Sequence, residues 1–302
     1  MKKQHLLGAF CLSLAASMWG GMYVVSKYVL DYIPPLTLVW LRYIIAFVFL
    51  FAILKMVQFK NKKVELIEKK DWFLIAWIGF IGYFVSIALQ FIGTNLSDAH
   101  TGALITSATP AFIVIFAWFI LKEELTFRKV MAMISATVGV VIVIGFDINV
   151  GTNFIGSLIL VGAAVTWALL SIYVKIASKR LSSLTITTYA VLFALIFTTP
   201  TMLWELQSKD IYYQDSLIFL GVIYLGVVST AGAFFLWNKG MELMDAGIGS
   251  LFFFFQPIVG SFLGWALLKE ELGVNFFVGG LFIVVGVGVV GFQKKKILSR
   301  IE

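Results

Sequence analysis

The sequence predicts an all-α integral membrane protein: ten transmembrane helices arranged as two inverted-topology five-helix repeats. Three observations carry that prediction. Of 302 residues, 61% are hydrophobic and 13% charged, against about 45–50% and about 25% in soluble domains. The apolar residues gather in runs near the ~20 residues a helix needs to cross a bilayer. The chain is also written twice, because Lys122-Glu123-Glu124-Leu125 returns as Lys269-Glu270-Glu271-Leu272. Pro110 pairs with Pro257, Asp98 with Asp245 and Gly93 with Gly240 at the same offset of 147. Near the two starts, Trp19 pairs with Trp167 and Lys27 with Lys175 at an offset of 148.

The apolar segments run over 6–30, 36–57, 72–92, 99–121 and 127–146, then 154–177, 184–204, 216–238, 246–268 and 275–292. That is five to each repeat, with the first repeat at 1–149 and the second at 150–302. Pro34-Pro35, Asn61-Lys62-Lys63 and Gly151-Thr152-Asn153 mark short turns between them. The start, Lys2-Lys3 followed by Leu6 to Met18, imitates a secretory signal. Trp19 and Lys27 nevertheless match residues deep inside the chain, so this segment reads as a retained helix of the repeat.

Orientation follows from the basic residues. With the N-terminus inside, only Lys27, Lys209 and Lys269 of the 23 lysines and arginines fall at outer ends, and Arg42 lies within a span. All the others collect at inner ends, which by the positive-inside bias places both termini in the cytoplasm. Five spans per repeat then turn the second copy upside down about an axis in the membrane plane. That arrangement suits alternating access, with a site near the midplane between the halves.

Composition also excludes function classes. A single cysteine, Cys11, forms no internal disulfide, and two histidines, His5 and His100, make a poor metal site. No cofactor is expected. The net charge of +7 lies in loops between apolar runs, so it reads as topology rather than as affinity for nucleic acid. Expected partners are a small-molecule substrate and the lipid bilayer. Gly260, Gly264 and the glycines of the last segment permit close helix approach, within the chain or in a homodimer.

Trp19-Gly20 in the first segment and Arg42 early in the second join the matched prolines of the fourth and ninth and the Lys-Glu-Glu ends after them. Together with the ten-span inverted repeat, they resemble the EamA type of the drug/metabolite transporter superfamily. The resemblance implies a prokaryotic inner-membrane exporter or permease for amino acids, related metabolites or toxic compounds, with no ATPase of its own. One departure is that Arg42 aligns with Ala190, so an arginine role is not doubled.

Pro110 and Pro257 each remove a backbone donor, leaving the carbonyls of Thr106 and Phe253 without their helical partners. A matched pair of breaks at mid-depth suggests kinks beside the substrate path; a packing kink is the plainer alternative. Arg42 lies about 9 Å into its span at 1.5 Å per residue. Its fork suits a substrate carboxylate, while snorkelling outward or pairing with Asp31 or Asp98 explains it equally. Gln90 aligns with Trp237, which Asn238 follows. With Trp19, Tyr23, Tyr83, Trp167 and Tyr173 they are candidates to line an amphipathic cavity for aromatic or large apolar amino acids, nucleobases or drug-like cations. Against that stands the number of aromatic residues that must face lipid. Lys27 and Lys175 read as snorkelling anchors in preference to gates.

No carboxylate lies mid-span, so proton antiport through a buried acid is not supported. The leading expectation is a secondary transporter, with a channel or lipid flippase as the alternative. A membrane-embedded enzyme is disfavoured, because the chain offers no nucleophile with a base and no metal cluster.

Overall fold

The fold is drawn from a computed structural model that describes residues 2–62, 65–122, 124–127, 130–131, 134–135, 138–139, 142, 152–208, 211, 216–244, 246–269 and 271–291. All regular structure among them is helical. Helix α1 spans Lys2–Leu30 and α2 Pro35–Asn61. Helix α3 covers Lys69–Leu96 and passes through a π-helical turn at Gly79–Ser86. The next segment is broken into α4, Ala99–Thr106, and α5, Thr109–Leu121. Helices α6, Thr152–Ala177, and α7, Ser183–Glu205, follow. Helix α8, Ser216–Leu243, carries a second π turn at Tyr224–Gly232. A short α9, Ala246–Gly249, tightens into a 3₁₀ turn at Ser250–Phe254 before α10, Phe255–Leu268. Helix α11, Val274–Gly291, closes the described chain.

Seven helical segments among the described residues are long and apolar enough to cross a membrane, namely α1, α2, α3, α4 continued by α5 (Thr101–Leu121), α6, α7 and α8, and α10 is a shorter apolar one. The expected segment 127–146 lies largely outside the described residues. Within it, Ser135 Oγ donates to the Phe282 carbonyl of α11 at 2.8 Å.

Each helix begins and ends where local chemistry requires. Pro35 opens α2 at a first-turn position, where its missing N–H costs nothing. The first turn of α2 is completed from α7: Glu205 accepts from the Thr37 N–H at 2.8 Å and its hydroxyl at 3.0 Å. The start of α7 is held from the α2–α3 loop in the same manner. Glu65 accepts from the Ser182 N–H at 2.8 Å and its hydroxyl at 3.0 Å. Carboxylates at helix N-termini satisfy orphan donors and favour the dipole. At the opposite ends, Lys122 (φ 58°) and Lys269 (φ 56°) adopt the left-handed conformation that stops α5 and α10. The repeated Lys-Glu-Glu motif therefore begins with a helix stop.

Packing interleaves the two halves of the chain. Helix α1 lies against α8 and α10, α6 against α3, and α2 against α7. Glycines let backbones meet: a Cβ on Gly240 would lie 3.1 Å from the Gly8 carbonyl, and one on Gly93 2.9 Å from that of Gly156. Close small-residue contacts drive helix association where no water is present to do so. Threonines inside the bundle return their hydroxyls to their own helix, as Thr187 to Ser183 O (2.7 Å) and Thr188 to Leu184 O (2.7 Å). Large apolar side chains such as Phe10, Phe59, Phe219 and Phe262 point outward and are exposed on the bundle surface, as a lipid-facing surface requires.

Candidate functional site

The centre of the bundle is an aromatic cluster around Trp19. Its ring centroid lies 5.1 Å from Trp167, 5.3 Å from Trp237, 5.9 Å from Phe253 and 6.1 Å from Phe234. Beside it is a small cavity of about 20 Å³, room for roughly one water molecule. Four pairs of sequence-equivalent residues face it: Trp19 with Trp167, Ile87 with Phe234, Thr106 with Phe253, and Thr109 with Gln256. Ser86, Gln90, Ala163 and Ala164 complete the wall. Among the described residues, no acidic or basic side chain lines it.

Two irregularities put these groups there. The first is the pair of broken helices. Thr106 and Thr109 flank the break between α4 and α5, and Phe253 and Gln256 flank the junction of the 3₁₀ turn with α10. Each proline follows immediately, after Thr109 and after Gln256. The Thr106 carbonyl that Pro110 leaves unpaired accepts instead from the Thr109 hydroxyl at 2.5 Å. The second irregularity is the pair of π turns, which release carbonyls from the regular ladder. Trp19 Nε1 donates to the Ser229 carbonyl at 3.0 Å, and the Tyr43 hydroxyl donates to the carbonyl of Tyr83.

A hydrogen-bond chain crosses the cavity floor. Gln256 Nε2 donates to Ala103 O at 3.3 Å and to Thr106 Oγ1 at 2.6 Å. Thr106 gives its own proton to Gly102 O at 2.7 Å. Tyr23, 2.7 Å from Thr106 Oγ1, must then be the donor of that pair, since a hydroxyl has one proton. Gln90 Nε2 in turn donates to the Tyr23 oxygen. The chain thus runs in one direction, from Gln90 through Tyr23 and Thr106 to the backbone.

Arg42 is fully buried, so it does not snorkel. Its Nε donates to Thr230 Oγ1 at 2.5 Å, Nη2 to Ser229 Oγ at 3.2 Å, and Nη1 meets Met22 Sδ at 3.5 Å. Ser229 and Thr230 both spend their protons on the Leu225 carbonyl, at 3.0 and 2.6 Å, which leaves them free to accept. The guanidinium sits over the rings of Phe91 at 4.9 Å and Phe234 at 5.8 Å. It forms no ion pair with Asp31 or Asp98 among the described residues. Arg42 is therefore behind the cavity wall, clamping the π turn of α8 through the hydroxyls of Ser229 and Thr230 and lying over Phe234 just beyond that turn.

The remaining sequence-singled residues divide. Trp237 packs behind Trp19, 4.4 Å from Phe253. Tyr83 stacks on Phe234 at 4.3 Å and accepts from Asn238 Nδ2 at 2.9 Å, which also donates to Thr187 at 2.8 Å. Tyr173 stands apart, edge-on to Trp77 at 6.2 Å. Lys27 and Lys175 are not snorkelling; both are drawn inward onto carbonyls at helix ends. Sequence reasoning passed over Gln256, Thr109 and Phe234. The signal was present for the first two, since each immediately precedes a matched proline.

Comparison with known proteins accords with this architecture. The EamA-like transporter family matches residues 6–145 and again 154–292. The chain belongs to the EamA-like transporter family. Among similar EamA-type proteins, "Uncharacterized transporter YetK" of Bacillus subtilis (strain 168) is 29% identical, covering 98% of this chain and 90% of its own. "Uncharacterized transporter YoaV" of the same organism is 23% identical, over 97% and 99%. An archaeal relative from Archaeoglobus fulgidus, also named a transporter, is 24% identical over 92% and 96%. A solved structure described as "Crystal structure of protein" covers 96% of each chain with a TM-score of 0.68 at 20% identity, a likeness of fold. This is a multi-pass membrane protein of a transporter family.

Proposed function

We propose that this EamA-family protein is a secondary transporter, an exporter or permease of small amphipathic metabolites, amino acids and related compounds foremost. It works by alternating access between two five-helix halves, 1–149 and 150–302, inverted relative to one another in a ten-span cell membrane protein with both termini cytoplasmic. The observation that carries this reading is the cavity wall itself. Four of its residue pairs stand at equivalent positions of the two halves, beside broken helices and π turns that are also matched. A site shared equally by both halves can open to one side when one half tilts and to the other when its counterpart does.

In this reading Trp19, Gln90, Thr106, Trp167 and Phe253 contact the substrate. Tyr23, Tyr83, Trp237 and Asn238 hold those groups, Arg42 holds the π turn, and Pro110 and Pro257 keep the helices broken. Tyr173 belongs to the part of the path toward the C-terminal end of α6, beyond the central cavity. The small cavity volume corresponds to a closed state between the two open ones.

The test is flux into liposomes containing the purified protein, across a panel of radiolabelled amino acids, nucleobases and organic cations. Saturable uptake accelerated by unlabelled substrate on the far side is the expected result. Linear, unsaturable flux would replace the carrier with a channel, and lipid scrambling without solute flux would replace it with a flippase.

A further inference from the structure

We propose that the central cavity selects an uncharged polar group carrying both a hydrogen-bond donor and an acceptor, as in a ring-bearing amide, lactam or nucleobase. This rests on the transporter reading but departs from its foremost substrates: zwitterionic amino acids are disfavoured, and the uncharged amphipathic compounds remain.

Two polar atoms of the wall carry this selectivity. Gln90 Oε1 and Trp167 Nε1 are both buried, both belong to residues of the cavity wall, and both lack a partner among the described residues. An orphaned buried polar atom has a desolvation cost that a ligand can remove. Indole Nε1 can only donate. The amide of Gln90 is less obvious, because its nitrogen and oxygen look alike. The hydrogen-bond chain settles it. Two backbone carbonyls, of Ala103 and Gly102, fix the polarity at one end, and every link back to Gln90 follows. Its nitrogen faces Tyr23 and its oxygen is the free atom. The cavity therefore offers one acceptor and one donor.

The asymmetry with the other half strengthens the point. Trp19, the counterpart of Trp167, has its indole proton occupied by the Ser229 carbonyl at 3.0 Å. The equivalent of Ser229 is Gly82, and Trp167 makes no corresponding bond. One tryptophan is anchored and the other is left with a proton to give.

Charged ligands fit worse. With no ionisable side chain among the described residues of the wall, an ion would enter a closed aromatic space with no counter-charge in contact; Arg42, screened behind Phe234, offers a carboxylate only a distant one. A carboxylate would satisfy Trp167 but oppose the lone pairs of Gln90 Oε1. An amidinium would satisfy Gln90 but oppose the Trp167 proton, and would approach Arg42 behind Phe234 as a like charge. An amide carries the complementary pair, an N–H for Gln90 Oε1 and a carbonyl for Trp167 Nε1.

Four near-isosteric probes separate these cases: benzamide, benzoate, benzamidine and acetophenone. The experiment is equilibrium dialysis of radiolabelled benzamide against full-length protein in detergent, with competition by the other three, and counterflow in liposomes beside it. Benzamide should bind at least about tenfold more tightly than acetophenone, which lacks the N–H donor. Benzoate should be weaker than benzamide, and benzamidine the weakest of the four. Gln90→Met should abolish the preference of benzamide over acetophenone, bringing them within about threefold. Trp167→Phe should weaken both together, since both present a carbonyl to the indole. Melting curves of each variant identify loss of fold, and the wild-type ranking stands independently of them. Benzoate or benzamidine binding more tightly than benzamide overturns the inference, as does absence of benzamide binding. If benzamide does not bind yet another solute shows saturable counterflow, the selectivity falls and the transporter stands. If benzamide binds but no flux saturates, the transporter reading falls and the selectivity of the cavity stands.

Discussion

Lys27 and Lys175, related by the sequence repeat, perform the same task on different helices. Lys27 Nζ donates to the carbonyls of Thr94, Asn95 and Ser97 at 3.2, 3.1 and 2.6 Å. Lys175 Nζ donates to Met241 O at 3.0 Å and to Met244 O. Each lysine thus leaves the first helix of its half to close the C-terminal end of the third, where carbonyls lack helical donors and the dipole is negative. Lys27→Met should destabilise the protein by about 2 kcal/mol, since it strands charge-assisted acceptors. Lys175→Met should act similarly. Melting of purified protein in one detergent checks both; unchanged melting in either would reduce that lysine to a surface feature.

Arg42 holds Ser229 and Thr230 with two separate nitrogens, a geometry an ammonium cannot reproduce. Arg42→Lys should therefore loosen the π turn while keeping the charge. Because Arg42 stands behind the wall, counterflow should lose maximal rate by about tenfold or more, with KM changed less than about threefold. A large rise in KM at unchanged rate would mean that the guanidinium touches the substrate itself.

The family and the membrane class are legible in the sequence because both rest on composition, run length and repetition, which survive without side-chain detail. Five residues of the cavity wall, Trp19, Gln90, Thr106, Trp167 and Phe253, are legible too, through the repeat and the prolines. The π turns are not, for nothing in Gly79–Ser86 or Tyr224–Gly232 departs from an ordinary apolar helix; the extra residue per turn is set by tertiary contacts such as Trp19 with Ser229. For the same reason Arg42 was left between a substrate role and snorkelling. Its hydroxyl partners are 187 and 188 positions away, and no local pattern reveals them. For Lys27 and Lys175, snorkelling and helix capping begin from the same sequence position and differ only in where the neighbouring helix ends.

Gly20 offers a test of how closely the halves must meet. A Cβ there would lie 2.7 Å from the Gln256 carbonyl and 2.9 Å from the Gly260 nitrogen, both backbone atoms of α10. No side-chain rotation relieves that contact, so Gly20→Ala must displace one helix. The expected cost is about 1–3 kcal/mol, typical of overpacking, together with a marked fall in flux because α1 and α10 both supply cavity residues. Melting and counterflow on the same preparation check it. Wild-type behaviour in both would show that α1 and α10 are free to separate.

The end of the bundle at which α2 passes into α3 is tied to the α6–α7 turn by charge. Arg180 lies 2.8 Å from Glu68 and 3.1 Å from Asp71, and Lys70 lies 2.9 Å from Glu68. Hydrogen bonds from Lys70 and then Arg180 hold the Glu68 carboxyl below the usual carboxylate range. A depressed folded-state pKa contributes stability that is complete above the unfolded value of about 4.3 and is lost as pH falls through the lower, folded one. Glu68 is exposed, so the contribution is small and salt-sensitive. Glu68→Gln should lower the Tm slightly at pH 7 in low salt. That difference should shrink at about 1 M salt, where the Debye length is about 3 Å, and should disappear as acid protonates the wild-type carboxylate. A difference that persisted unchanged once the pH had fallen below the lowered folded pKa would assign the effect to packing of the side chain, because there both proteins carry an uncharged group at position 68.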